Sequence, residues 1–90
     1  MQLEILYFGR LRDTSGGKTR EIIEVNDATV LDSLVKFLVA RHGKEFADEF
    51  EATKGLRILV NGREYQLLDG LATKLKDRDT VVLLPPIFGG

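Results

Sequence analysis

Thr80-Val81-Val82-Leu83-Leu84, closed by Pro85-Pro86, is the stretch on which the fold turns. A run of apolar and β-branched residues bounded by Asp77-Arg78-Asp79 in front and two prolines behind reads as a strand. Proline cannot donate to a ladder, so the strand stops at Leu84. A strand this apolar has to pair in the interior of a sheet. Its partners lie further back in the chain. Residues 56–60, Leu-Arg-Ile-Leu-Val, form one strand, and Asn61-Gly62 is a strong hairpin-turn signal that sends residues 63–67 back as a short strand. Residues 70–76 are a connector with room for one helical turn.

The N-terminal half supplies the rest. In residues 2–8 Leu3, Ile5 and Tyr7 alternate with Gln2 and Glu4, the period of a strand, although Leu6 and Phe8 put apolar groups on the opposite face. Residues 13–18 are turn chemistry, and residues 19–25 read as a second strand, most simply an antiparallel partner of the first. The period then changes. Val30, Leu31, Leu34, Val35, Leu38 and Val39 fall at helical spacing, with Phe37 widening the stripe. Thr29 with Asp32 approximates a capping box, Arg41 and His42 suit the last turn, and Gly43 stops the helix. Phe46, Ala47 and Phe50 predict a short second helix ended by Gly55. The expected fold is α+β, with a mixed sheet of four to five strands and one main helix packed on one face. The expected core is Leu3, Ile5, Tyr7, Ile23, Val25, Leu31, Leu34, Val35, Leu38, Ile58, Val60, Val81 and Leu83.

Ninety residues make one small domain, and 43% apolar with 30% charged residues fit an ordinary globular chain. Thirteen basic against fourteen acidic residues argue against general nucleic-acid binding or a polybasic membrane anchor. No apolar run approaches the ~20 residues of a membrane span, and there is no signal-peptide core, so a cytoplasmic address is expected. Without cysteine, thiolate metal sites and cysteine nucleophiles are excluded. A single histidine excludes a multi-histidine metal site.

Three stretches resemble the MoaD/ThiS family of ubiquitin-like sulfur carriers, nearest to the small subunit of molybdopterin synthase. They are Tyr7-Phe8-Gly9-Arg10-Leu11-Arg12-Asp13, Leu59-Val60-Asn61-Gly62, and the segment from Leu75-Lys76-Asp77-Arg78-Asp79 through Pro85-Pro86-Ile87-Phe88-Gly89-Gly90. The resemblance implies a β-grasp in which the last strand runs parallel to the first, a folded domain over residues 1–84 and a flexible tail over 85–90. It implies a carrier that is not itself catalytic and binds no cofactor or metal. An adenylating enzyme of the ubiquitin-activating type joins the Gly90 carboxylate to AMP, using ATP. A sulfur donor converts it to a thiocarboxylate, and the large catalytic subunit of molybdopterin synthase receives the sulfur for molybdenum or tungsten cofactor synthesis. The same activated carboxyl would serve a protein modifier joined to lysines, and a plain interaction module is the third alternative. Two positions depart from the family. Glycine usually stands at Arg78, in a turn that favours positive φ, so arginine there implies either a different turn or some strain, and a small residue usually stands at Phe88.

The tail suits that chemistry. Gly89 and Gly90 lack side chains and can thread a narrow channel, while Pro85 and Pro86 stiffen the base of an arm reaching roughly 20 Å. By strand parity Leu6, Phe8, Leu59, Val82 and Leu84 point away from the helix and form a candidate docking face, with Arg10 and Arg12 beside it for a partner's acids. Other motifs carry less. Ser15-Gly16-Gly17-Lys18-Thr19 has the end of a phosphate loop, but Arg12 stands where its first glycine belongs and no helix follows, so it reads as a hairpin turn. His42 reads as a helix-end cation or surface residue. Glu45, Asp48, Glu49 and Glu51 read as a solvated helix face, and Asp77 with Asp79 falls short of a calcium loop.

Overall fold

The computed structural model describes residues 1–52 and 56–85. Strand β1 spans Gln2–Tyr7, helix α1 Arg10–Thr14, β2 Arg20–Glu24, α2 Leu31–His42, α3 Lys44–Ala52, β3 Arg57–Val60, β4 Arg63–Glu64 and β5 Thr80–Leu84. Short 3-10 turns at Tyr65–Leu67 and Gly70–Ala72 link β4 to β5. The sheet order is β2-β1-β5-β3-β4. β5 lies in the middle, parallel to β1 with Ile5 opposite Val81, and antiparallel to β3 with Leu59 opposite Val82. The remaining pairs are antiparallel. This is the ubiquitin-like β-grasp, with the last strand placed as expected.

Parity sets the two faces. Leu3, Ile5 and Tyr7 of β1, Ile23 of β2, Ile58 and Val60 of β3, and Val81 and Leu83 of β5 are buried on one side. Leu31, Leu34 and Leu38 of α2 cover them, spaced so that each returns to the same helix face. Phe46 of α3, Leu11 of α1 and Leu75 complete this core, three residues the sequence reading left out. Val25 is only partly buried and packs at the rim, and Val35 is only half-buried at the side of α2.

Other local readings are corrected. No capping box forms at α2. Its N-cap is Val30, in extended conformation and without a side-chain cap bond. A neighbouring segment replaces the cap: Val30 bridges Lys74, and Leu31 N–H donates to Thr73 C=O at 2.9 Å. A helix end satisfied by tertiary backbone contact has no need of a capping side chain. Residues 10–14, left without an element, form α1, held by buried Leu11. Of the run 63–67 only Arg63 and Glu64 pair, because the 3-10 turn at Tyr65 takes the chain away from the ladder. Asn61 and Gly62 both take positive φ, 52° and 84°, as a tight hairpin requires. The expected stop at Gly55 lies outside the described residues.

Candidate functional site

Because β5 is parallel to β1, both strands end on the same side of the molecule, and Pro85 follows from the sheet's middle. Phe8 N–H still bonds to Leu83 C=O at 3.2 Å, so β1 accompanies β5 almost to its end. Pro85 then stands exposed beside Gly9. A methyl group built on Gly9 would lie 3.5 Å from Pro85 Cγ, ordinary contact distance, so the backbone of the β1–α1 turn forms the seat of the arm. Gly9 has φ 62° and ψ −141°, a conformation nearly confined to glycine. Pro86, Phe88, Gly89 and Gly90 lie outside the described residues.

The face away from the helices carries an apolar row. Register aligns Leu6, Val82 and Leu59 across β1, β5 and β3. All three are half-buried, as is Leu84 toward the arm. Phe8, 45% exposed, ends the row at the tail's exit. These positions follow the parity reading. Ile22 of β2, 42% exposed, lies on the same face and was not anticipated. Polar pairs frame the row. Arg57 Nε bonds Glu64 Oε1 at 2.6 Å, and Arg20 pairs with Glu4. The Arg20 bond, helped by Thr80 Oγ1 at 3.2 Å, holds the Glu4 carboxyl below its ordinary range.

Arg10 and Arg12 sit on α1, next to Gly9. Arg10 Nε bonds Glu49 Oε2 of α3 at 3.0 Å, so that cation clasps the chain's own helix, and Glu49 is more than a solvated acid. Arg12 is exposed, and its carbonyl oxygen accepts from Ser15 and Gly17, closing the glycine turn. Ser15 Oγ is buried and also bonds Arg12 C=O, so the Ser15–Thr19 stretch is built as a turn, as expected.

Sequence reading missed one charged centre entirely. Glu21, on the inner face of β2, has a side chain only 4% exposed. Tyr7 Oη donates to its Oε1 at 2.7 Å. His42 Nε2 lies 3.0 Å from the same oxygen and 3.1 Å from the phenol. Arg41 Nε donates to Oε2 at 2.6 Å, and Lys18 Nζ stands at 3.3 Å. Burial opposes ionisation of Glu21, but the bonds from Tyr7, Arg41, His42 and Lys18 outweigh it and lower the carboxyl to about 2. Burial, then the bond to Glu21, pushes the Tyr7 phenol well above its ordinary range. His42 is therefore at the helix end as read, but enclosed between Tyr7 and Phe46 instead of on the surface. A clue was available. Glu21 has the parity of Ile23 and Val25, and a charge at a core position needs partners. Among the described residues no group of three or more metal-ligating side chains is assembled, and no helix is long and apolar enough to cross a membrane.

Comparison with known proteins returns a consistent picture. The model of the ThiS family matches residues 5–90. The small archaeal modifier protein 3 of Haloferax volcanii is 36% identical over 92 aligned positions, covering all of both chains. The solution structure of the Haloferax volcanii HVO 2177 protein superposes with a TM-score of 0.78 at 30% identity, over 100% of this chain and 87% of that one. A putative molybdopterin converting factor, subunit 1, from Pyrococcus furiosus superposes with a TM-score of 0.76 at 25% identity, over 97% and 99% of the two chains.

Proposed function

The chain belongs to the ThiS family, and on that footing we propose that it is a sulfur carrier whose reacting group is the Gly90 carboxylate. A carboxylate is a poor acyl donor. In the proposed cycle its oxygen attacks the α-phosphorus of ATP in an adenylating partner of the ubiquitin-activating type, and pyrophosphate leaves. A sulfur donor at the sulfide level then attacks the acyl carbon and AMP leaves, giving a thiocarboxylate. The large subunit of molybdopterin synthase takes the sulfur into the pterin cofactor of molybdenum or tungsten. The partners carry the catalysis; this chain supplies the arm.

One observation carries the reading. The arm is mounted at the centre of the sheet, on Gly9, where the apolar row of Leu6, Leu59, Val82 and Leu84 meets exposed Phe8. A partner seated on that row, with Arg12 alongside, would have Pro85, Pro86, Phe88, Gly89 and Gly90 aimed into its active site. Arg10 bonds Glu49 through Nε, and its remaining guanidinium donors would meet a partner's acid.

A second reading rests on the modifier relative at 36% identity. Attack by a lysine amine on the activated Gly90 carbonyl would expel the leaving group and join the chain to a target protein. Intact mass analysis of the protein from its own cells separates the two. A gain of about 16 Da marks oxygen replaced by sulfur, and Gly90 in amide linkage to foreign lysines marks tagging. Deleting Gly90, or adding an alanine after it, should abolish adenylation. Retained adenylation would refute both readings.

A further inference from the structure

Strand β2 forms one edge of the sheet, and among the described residues nothing pairs with its outer side. Its register with β1 determines which backbone groups remain over. Tyr7 N–H bonds Thr19 C=O, and Val25 N–H bonds Met1 C=O. Bond-exchanging positions recur every second residue in an antiparallel ladder, so Thr19, Glu21, Ile23 and Val25 turn their backbone groups toward β1. Arg20, Ile22 and Glu24 turn theirs outward. The side chains of the same three are exposed on the outer face.

Cation, aliphatic, anion is a sequence complementary to its own reverse. We propose that this protein self-associates through β2, two copies pairing antiparallel about a two-fold axis with Ile22 opposite Ile22 of the second copy. In that register all three outward-facing residues fall at bond-exchanging positions. Arg20 meets Glu24 of the second copy, and Glu24 meets Arg20 of the second copy, each as an opposite-charge cross-strand pair. Arg20 bonds its own Glu4 through Nε, and a guanidinium has further donors for a second carboxylate. Neighbouring registers are worse. Sliding by two residues sets Arg20 or Glu24 against Ile22 of the second copy and breaks both Arg20–Glu24 pairs, and sliding by four sets arginine against arginine or glutamate against glutamate.

Both sides of the seam carry apolar surface. Ile22 stands on the outer face. On the helix side Phe37, 37% exposed, lines an open depression of about 490 Å³ with Val25 and Ser33. A two-fold axis normal to the sheet puts both α2 helices on one side, with the two depressions on that side and displaced toward opposite ends of the seam. The β5 strands of the two copies then run in opposite directions, and the two arms leave at opposite ends of the joined sheet.

Charge reversal tests the register. Arg20→Glu and Glu24→Arg each place like charges opposite one another in a homodimer, yet mixed together they restore both opposite-charge pairs. Sedimentation equilibrium up to millimolar protein should show a monomer–dimer equilibrium. Each variant alone should bind itself about tenfold more weakly or worse, and the equimolar mixture should recover the parent's affinity. Amides of Arg20, Ile22 and Glu24 should gain hydrogen-exchange protection as concentration rises, with unchanged circular dichroism certifying the folds. A parent monomeric at millimolar concentration with those amides unprotected overturns the proposal. So do reversal variants that dimerise as tightly as the parent.

Discussion

The phenol of Tyr7 and the carboxylate of Glu21 share a hydrogen bond of 2.7 Å beneath α2, both groups shut away from water. The bond joins β1 to β2 on the inner face, and Arg41 and His42 bring the C-terminal end of α2 to the same carboxylate. One ionised oxygen pair thus anchors three elements. Removing a donor leaves a buried charge short of a partner, which is costly. Tyr7→Phe keeps the ring and its contact with Phe46 and should lower unfolding stability by about 1.5–3 kcal/mol in urea titration.

Acid should release the same anchor. The Glu21 carboxyl is lowered to about 2 in the fold from an ordinary 4.5. A depressed carboxyl stabilises the fold fully above its unfolded value and loses that contribution as pH falls through its folded value. Stability should therefore decline between about pH 4.5 and 2, by about 3 kcal/mol from this group. Denaturation midpoints measured across that window check it. Glu21→Gln should be less stable near neutral pH and should show a flatter acid limb.

Arg78 should be improvable. It is the third residue of a turn closed by Asp79 N–H to Lys76 C=O, and it takes φ 69°. The turn is held in place because Arg78 N–H bonds Gln2 C=O at 2.6 Å, and Gln2 N–H bonds Asp77 Oδ1 at 2.7 Å. A side chain in the left-handed region costs about 1–2 kcal/mol, partly offset by the greater unfolded freedom of glycine. Arg78→Gly should raise stability by about 0.5–1 kcal/mol, seen as a higher thermal midpoint.

Gly9 should tolerate substitution poorly despite having space. Alanine there meets Pro85 only at ordinary contact distance, so the cost comes from φ 62° with ψ −141°. Gly9→Ala should cost about 1–3 kcal/mol in chemical denaturation. A cost confined to a few tenths of a kcal/mol would show that the turn relaxes freely.

The outer row should matter to partners and not to folding. Phe8→Ala and Leu59→Ala remove exposed or half-buried groups and should leave the unfolding free energy within about 1 kcal/mol of the parent. Binding to the proposed adenylating partner should weaken by about tenfold for Phe8→Ala, measured by titration calorimetry. Unchanged affinity in both variants would remove the row from the docking surface.

Much of this architecture was legible because period and punctuation agree in the sequence. Alternation marked β1 and β3, the 3.6 spacing marked α2, Asn61-Gly62 marked the hairpin and Pro85 marked the end of β5. Of the two alternatives left open at Arg78, a different turn or a strained one, the structure shows the positive φ. What escaped were features decided across the fold. The first turn of α2 is satisfied by Thr73, more than forty positions away, so its own residues gave a false cap. Leu11 and Leu75 are single leucines in short irregular stretches and show no period. The Glu21 centre gathers side chains from three separate stretches, and strand parity alone offered its one visible clue. At the site, the row and Pro85 were readable from parity and proline chemistry, whereas the seat on Gly9 depends on two distant strands ending together.

That parallel pairing also ties readiness to completeness. Glu4 and Thr80 are partners in the ladder although 75 residues other than themselves separate them along the chain. Pro85 takes its place beside Gly9 only when β1 has met β5. A polypeptide lacking either strand has no such meeting point, so assembly of the central strands is a built-in inspection that each copy passes before Pro85 is seated.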